Sequence, residues 1–281
     1  MNYHDHDMSS KKINYKDMEA LQVGRFPGRI NTTCILYRFE NTLIDTGPPN
    51  QWKEVQKFIL EKDVKQICIT HHHEDHCGNS AQIKKATDAK LYAHKAGCKL
   101  LNSGWYMEPY RHIIWGRPET VHANPAPKFI ELSPSTHLEC LSTPGHSDDS
   151  ICYLEPNRGW LFTGDIYITS RPHSLREDEN PHDQINSLKY LLKRDFNTLF
   201  CAHRGVVHNG KQAIQKKHDY LVELRDEVFH LYSLGLTEKE IRYKLLGREN
   251  LVSLLTLFNF CKQNFIRNLI HLKPAETQTA R

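Results

Sequence analysis

The sequence has no CxxC pair. Its eight cysteines (Cys34, Cys68, Cys77, Cys98, Cys140, Cys152, Cys201 and Cys261) are scattered singly through 281 residues. This excludes the disulfide framework of a small secreted domain and fits free thiols in a reducing compartment. Long apolar runs are missing too, with no window near the roughly 20 residues that span a bilayer. The opening MNYHDHDMSSKKINYKD has neither an apolar signal core nor a small-residue cleavage site, so a cytoplasmic protein with no membrane partner is expected. Nor is there a basic block: the net charge is +4 and the sequence pI about 8.5. Domains built for duplex nucleic acid usually sit above a pI of about 9 with clustered Lys and Arg. The charge tolerates an anionic substrate or RNA without requiring either. Internal repeats and low-complexity tracts are also absent, which excludes solenoids and arrays.

The chain is long enough for one large domain, or for a large domain with a smaller appendage. Residues 1–17 are polar and are expected to form a flexible tail, so His4 and His6 are not read as ligands. From Met18 onward, ALQVGRF, TTCILYRF and NTLIDTG are short apolar runs punctuated by Gly, Pro and Asn, which predict strands. Trp52, Val55, Phe58 and Ile59 predict a helix over 51–61, and QICIT at 66–70 a strand. Asn79 is expected to cap a helix through the 80s, LYAH at 91–94 to be a strand, and 95–101 a short helix. Residues 102–128 carry Trp105, Tyr106, Tyr110 and Trp115 among prolines and are too long for an ordinary connection. We expect a lid or substrate wall there, or else a docked structural insert. HLECLSTPG, SICYLE, GWLFTGD and TLFCAH predict four more strands, with a helix over 183–193 between the last two. From Gly210 the pattern is helical throughout. The expected division is a tail (1–17), a catalytic domain (18–209) and a helical C-terminal region (210–281).

What the sequence has in abundance is histidine, eighteen in all, and neutral imidazole is the commonest nitrogen ligand for transition metals. Residues 70–76 read THHHEDH between a predicted strand and a predicted helix. His71 and His73 alternate on extended backbone and can point the same way, while Asp75 and His76 at the helix entry can face a neighbouring volume. His72 falls on the other face and is given no ligand role. Three further segments end predicted strands with possible ligands: TPGH with His146, TGD with Asp165 and CAH with His203. A pair of cations needs nitrogen ligands and a carboxylate to bridge them, and these segments supply both. His94 and His208 also lie near strand ends, where packing or capping explains them. Cys77 and Cys201, beside the ligand motifs, are read as small buried thiols.

In this order, HxHxDH, TPGH, TGD and a late His resemble the metallo-β-lactamase superfamily over roughly residues 21–209. The resemblance implies an α/β fold, a four-layer αβ/βα sandwich, here with a helical C-terminal appendage. It further implies one divalent metal on His71, His73 and His146, a second on Asp75, His76 and His203, and Asp165 bridging them. LIDTG matches a strand end whose carboxylate supports the ligands from behind, a role that falls to Asp45. Zinc is the first expectation for both ions, with manganese or iron acceptable to the same donors. Such ions lower the pKa of bound water from 15.7 to about 7, so a metal-bound hydroxide can attack without a serine or cysteine nucleophile. Asp75 is the expected catalytic carboxylate, orienting that hydroxide.

The stretches STPGHSDDSICYLEPNRGWLFTGD and NSLKYLLKRDFNTLFCAHRGVVHNGKQAI look like the glyoxalase II group and the mitochondrial lactamase-like endoribonucleases. The primary expectation is a hydrolase of a small ester, thioester or lactone. RNA cleavage is the alternative, since TEKEIRYKLL could pass for part of a helix-turn-helix. A mononuclear-iron persulfide dioxygenase is a third reading, because it resembles the same fold with two His and an Asp. CAHRG departs from the usual PGHG, putting Arg204 where a glycine is customary. Substrate contacts are expected from Tyr110, Arg111 and His112 in the insert, from Tyr167, Arg171 and His173 after Asp165, and from Arg204. Oligomerisation is left open.

Overall fold

The apolar runs of the first half assemble into one mixed sheet. The structure is a computed structural model that describes residues 10–26 and 32–275. Strands β1 (Ser10–Tyr15), β2 (Met18–Val23), β3 (Cys34–Phe39) and β4 (Thr42–Ile44) pair antiparallel in chain order. Helix α1 (Trp52–Ile59) crosses over to β5 (Gln66–Cys68), and α2 (Glu74–Cys77) and α3 (Ser80–Thr87) lead to β6 (Lys90–Ala93). Helices α4 (Lys95–Ser103) and α5 (Pro109–Ile114) precede β7 (Asn124–Pro125). From β4 to β7 the pairing is parallel, so among the described residues the sheet runs β1-β2-β3-β4-β5-β6-β7.

The second sheet opens with β8 (Phe129–Ser133), β9 (Thr136–Ser142), β10 (Ile151–Glu155) and β11 (Trp160–Gly164), antiparallel in sequence. After β12 (Leu175–Arg176) and α6 (Pro181–Leu191), β13 (Thr198–Cys201) lies parallel to β11, and β14 (Gly205–Val207) closes the edge. The remainder is α7 (Gly210–Ser233), α8 (Glu238–Leu246), α9 (Leu251–Leu255), β15 (Phe260–Cys261) and α10 (Lys262–His271).

Side chains alternate across a strand, and here they feed three cores that separate four layers. Between the sheets, Ile35, Tyr37 and Phe39 of β3 meet Trp160, Phe162 and Phe200. Leu36, pointing the other way, joins Val55, Phe58, Ile67, Ile83 and Leu101 beneath α1, α3 and α4. On the far side of the second sheet, Cys152, Leu154, Leu161 and Leu199 pack against Leu188, Leu224, Ile241 and Phe265 from α6, α7, α8 and α10. A sheet covered on both faces is why every residue of β3, β10, β11 and β13 is buried and most are apolar.

The structure corrects two sequence expectations. Residues 10–15 of the expected tail form the edge strand β1, where Ile13 faces Ala20 across the pair; His4 and His6 lie outside the described residues. The expected C-terminal helices are present, and their apolar faces share one core with the second sheet. Asn79 precedes α3 but does not cap it: its amide donates to the carbonyls of Thr46, Gly47 and Pro48 at 2.9, 3.0 and 2.9 Å. The loop after β4 needs those donors more than the helix does, since its buried carbonyls have no ladder partner.

One consequence of the layering is that the chain leaves β4, β5, β9, β11 and β13 towards the same rim, so the loops carrying Asp45, the HHHEDH turn, His146, Asp165 and His203 are neighbours. Gly78 closes the turn where there is no room for a side chain: a Cβ would lie 2.3 Å from the Glu74 carbonyl oxygen and from Pro49 Cδ. Gly78→Ala is therefore expected to cost about 1–3 kcal/mol by overpacking, read as a lower urea midpoint. An unchanged midpoint would mean that the 47–49 loop yields freely.

Candidate metal centre

The ligand-bearing turn is anchored before it is a site. Asp45, at φ 62° just past β4, accepts the Thr70 backbone N–H at 2.8 Å, the Thr70 hydroxyl at 2.9 Å and His76 Nδ1 at 2.8 Å. A carboxylate accepts only, so Nδ1 carries the proton and the Nε2 lone pair of His76 faces the other way. That Nε2 is buried with no hydrogen-bond partner. On the opposite flank Asp149 takes the His72 backbone N–H at 2.9 Å and its Nδ1 at 2.8 Å, which turns His72 away from its neighbours.

Three rings then converge. His73 Nδ1 lies 2.9 Å from His71 Nε2 and 3.1 Å from His146 Nε2. Asp165 Oδ2 stands 3.4 Å from His146 Nε2, while its Oδ1 is 3.5 Å from His76 Nε2 and 3.2 Å from His203 Nε2. Asp75 Oδ2 is 3.6 Å from both His76 Nε2 and His203 Nε2. Asp165 thus touches two adjoining nests, one of three imidazoles and one of mixed nitrogen and oxygen donors. Groups able to hold a cation include His71 with His73 and His146, and His71 with His76 and Asp165.

The two nests differ in charge. Burial drives His71 and His73 well below the ordinary imidazole pKa, with neighbouring positive groups adding to it, so both rings are neutral and offer lone pairs. In the other nest burial opposes the charged ring, yet the surrounding Cys34, Asp75, Asp165 and Asp45 outweigh it and raise His76 well above its usual value. His203 likewise rises to about 9: burial works against the imidazolium, and Asp165 and Asp75 overcome it. Asp165 is itself held well below the usual carboxylate range, because His203 and His76 outweigh the cost of its burial. The acidic nest therefore attracts positive charge, which a proton or a metal cation can supply. Together with the orphaned Nε2 of His76 and Oδ1 of Asp165, this donor set fits borderline divalent ions.

Supporting residues that sequence reasoning did not single out complete the arrangement. His146 Nδ1 donates to Glu179 at 3.2 Å, and His203 Nδ1 to the Thr33 carbonyl at 2.6 Å. Behind Asp165, the buried Lys217 of α7 donates to the Ile166 carbonyl at 2.7 Å. Burial pushes Lys217 down to about 8, partly offset by Glu179 and Asp165. Cys34, at the start of β3, forms a tight group with Asp75 and His76. These residues carry no local motif; only their place in the fold brings them to the site.

The expected substrate contacts are dispersed. Arg111 is buried, with Nε on Glu74 at 2.7 Å, Nη2 also on Glu74 and Nη1 on Glu108 at 3.2 Å. This corrects its reading as an open substrate contact, since its donors are spent on a brace between insert and turn. Tyr110 donates to Asn259 at 2.8 Å, and His112 is half-buried beside it. Tyr167 is buried, while Arg171 and His173 lie exposed against the Tyr220 ring. Arg204 Nε donates to the Ile168 carbonyl at 2.6 Å. Cys77 and Cys201 donate to the carbonyls of His72 and Tyr167 at 2.9 and 3.0 Å, and His94 caps α4 through Ala96 N–H. The insert packs on the C-terminal segment around a cavity of about 560 Å³ lined by Tyr106, Tyr110, Phe258, Asn259 and Arg267.

Comparison with known proteins matches residues 26–203 to the family model of the metallo-beta-lactamase superfamily. The chain is 30% identical over 149 residues to a hydroxyacylglutathione hydrolase of Shewanella baltica (strain OS185), covering 53% of this chain and 51% of that protein. It spans about half the length of that relative. It is 28% identical over 219 residues to the uncharacterized protein YobT of Bacillus subtilis (strain 168), covering 69% of this chain and 94% of that one. A metallo-beta-lactamase family protein from Thermus thermophilus superposes with a TM-score of 0.66 over 92% of both chains at 19% identity, a likeness of fold.

Two outcomes follow from these contacts. Asp45→Asn should weaken cation binding by about 10–100-fold, the usual effect of losing an orienting partner, with isothermal titration as the readout; unaltered affinity would show that Thr70 alone holds the turn. For Lys217 the folded pKa of about 8 lies below the ordinary 10.5, so the unfolded chain binds the extra proton between them. Stability from this group rises with pH across that window. Relative to Lys217→Met, the native protein should gain up to about 3 kcal/mol between those limits in denaturant titrations, and parallel curves would contradict it.

Proposed function

Because this chain belongs to the metallo-β-lactamase superfamily, we propose that it is a dinuclear metal-dependent hydrolase of a small ester, thioester or lactone. The observation that carries this reading is Asp165, whose two oxygens face a three-histidine nest on one side and an acidic nest on the other. In it, His71, His73 and His146 would hold one cation and Asp75, His76 and His203 a second, with Asp165 available to both. Zinc is the first choice and manganese or iron would suit the same donors. Divalent ions there supply Lewis acidity and an activated water at neutral pH.

The chain's own residues do the rest. Asp75, with Oδ2 between the His76 and His203 rings, accepts and orients the proton of the attacking water. Asp45 and Glu179 fix the tautomers of His76 and His146 by accepting from Nδ1. The aromatic insert, clamped by Arg111 on Glu74, walls the site on one side. A small acyl substrate is supported by the hydroxyacylglutathione hydrolase relative. Tyr167, Arg171, His173 and Arg204 remain the proposed contacts from the loops beside Asp165 and His203. No helix among the described residues is long and apolar enough to cross a membrane.

Elemental analysis should find two divalent ions per chain, and a thioester and lactone panel should turn over until a chelator is added. His146→Ala is expected to lower turnover by at least about 100-fold and to reduce metal content. One tightly held iron with persulfide-dependent oxygen uptake would replace this reading with a dioxygenase. Cleavage of single-stranded RNA with an inert thioester panel would replace it with a ribonuclease.

A further inference from the structure

We propose that Cys34 Sγ is a ligand of the second cation, joining Asp75 and His76. The inference rests on the metal reading above and adds a residue that the sequence pattern does not single out. Cys34 is completely buried at the first position of β3 and forms no disulfide. Its sulfur and one ligand atom each from Asp75 and His76 lie within 4.8 Å of one another. Donors to a zinc-sized ion stand about 2.0–2.3 Å from it, so three donor atoms gathered this closely are placed to share one. The second observation is His76 Nε2, fully buried and without a hydrogen-bond partner, 3.6 Å from Asp75 Oδ2 and 3.5 Å from Asp165 Oδ1. The adjacent residue is also committed to the site, because the Thr33 carbonyl orients His203. One stretch of β3 therefore serves two members of the acidic nest. The other thiols near the ligand loops are occupied differently: Cys77 and Cys201 donate to backbone carbonyls.

Coordination breaks the S–H bond, forms a sulfur–metal bond and releases one proton to solvent, with no change of oxidation state. A thiolate in the nest favours zinc, cobalt and cadmium over magnesium and manganese, whose preferred ligands are oxygens. The test is a cobalt(II) titration of the metal-free full-length protein, followed by absorption. The second equivalent should bring a near-ultraviolet thiolate-to-cobalt charge-transfer band in addition to the visible ligand-field bands. In Cys34→Ser the charge-transfer band should vanish while the first equivalent binds as before, and the second should weaken by about 10–100-fold or more. Because the band is read on the native protein, poor folding of the variant does not remove the test. Two cobalt ions bound with no charge-transfer band would overturn the role of Cys34 and leave the dinuclear reading intact. No cobalt bound would overturn both.

Discussion

A single buried carboxylate, that of Asp45, holds the HHHEDH turn in register with the rest of the sheet rim. It takes the Thr70 N–H and O–H and the His76 ring N–H, and it does so from a left-handed backbone conformation that a non-glycine residue adopts only at some cost. From this conformation Asp45 reaches Thr70, two residues past the end of β5. With His76 fixed, Asp75 has little freedom, because both belong to the single turn of α2. The positions of His76 and Asp75 therefore follow from one acceptor placed behind them.

The remaining organisation is electrostatic. Removing several titratable groups from water is costly unless opposite charges or neutral tautomers compensate. The molecule uses both solutions a few ångströms apart. His71 and His73 lose their charge, whereas His76 and His203 are surrounded by carboxylates that favour a positive charge. The geometry that leaves His76 Nε2 and Asp165 Oδ1 buried without a hydrogen bond would be a defect in an ordinary core. In a centre that receives cations, unspent lone pairs of this kind are what coordination requires.

The insert and the C-terminal helices join this centre through the same buried network. Arg111 reaches from α5 to Glu74 between the ligands His73 and Asp75. Glu108 and Tyr110 bond to Asn259, so the insert is tied at once to the turn and to the C-terminal segment. The β12–β15 pair adds a second tie between the loop after Asp165 and that segment. The insert is consequently docked on both the turn and the C-terminal segment, with a charged clamp at Arg111.

The ligand types and their order were legible in the linear sequence because HxHxDH, TPGH, TGD and CAH are local patterns at strand ends. Short apolar runs bounded by turn residues announced most strands, and helical patterning announced α1, α6 and the C-terminal helices. What only the tertiary structure decided is which distant residues support the ligands: Glu179 under His146, Thr33 behind His203, Lys217 beneath Ile166, and Cys34 beside His76. The same holds for Arg111, whose charge looked available in sequence and is spent on Glu74 in the fold. The reason is physical: a side chain's chemistry is written in its own residue, but its partner is chosen by the packing of layers that lie far apart along the chain.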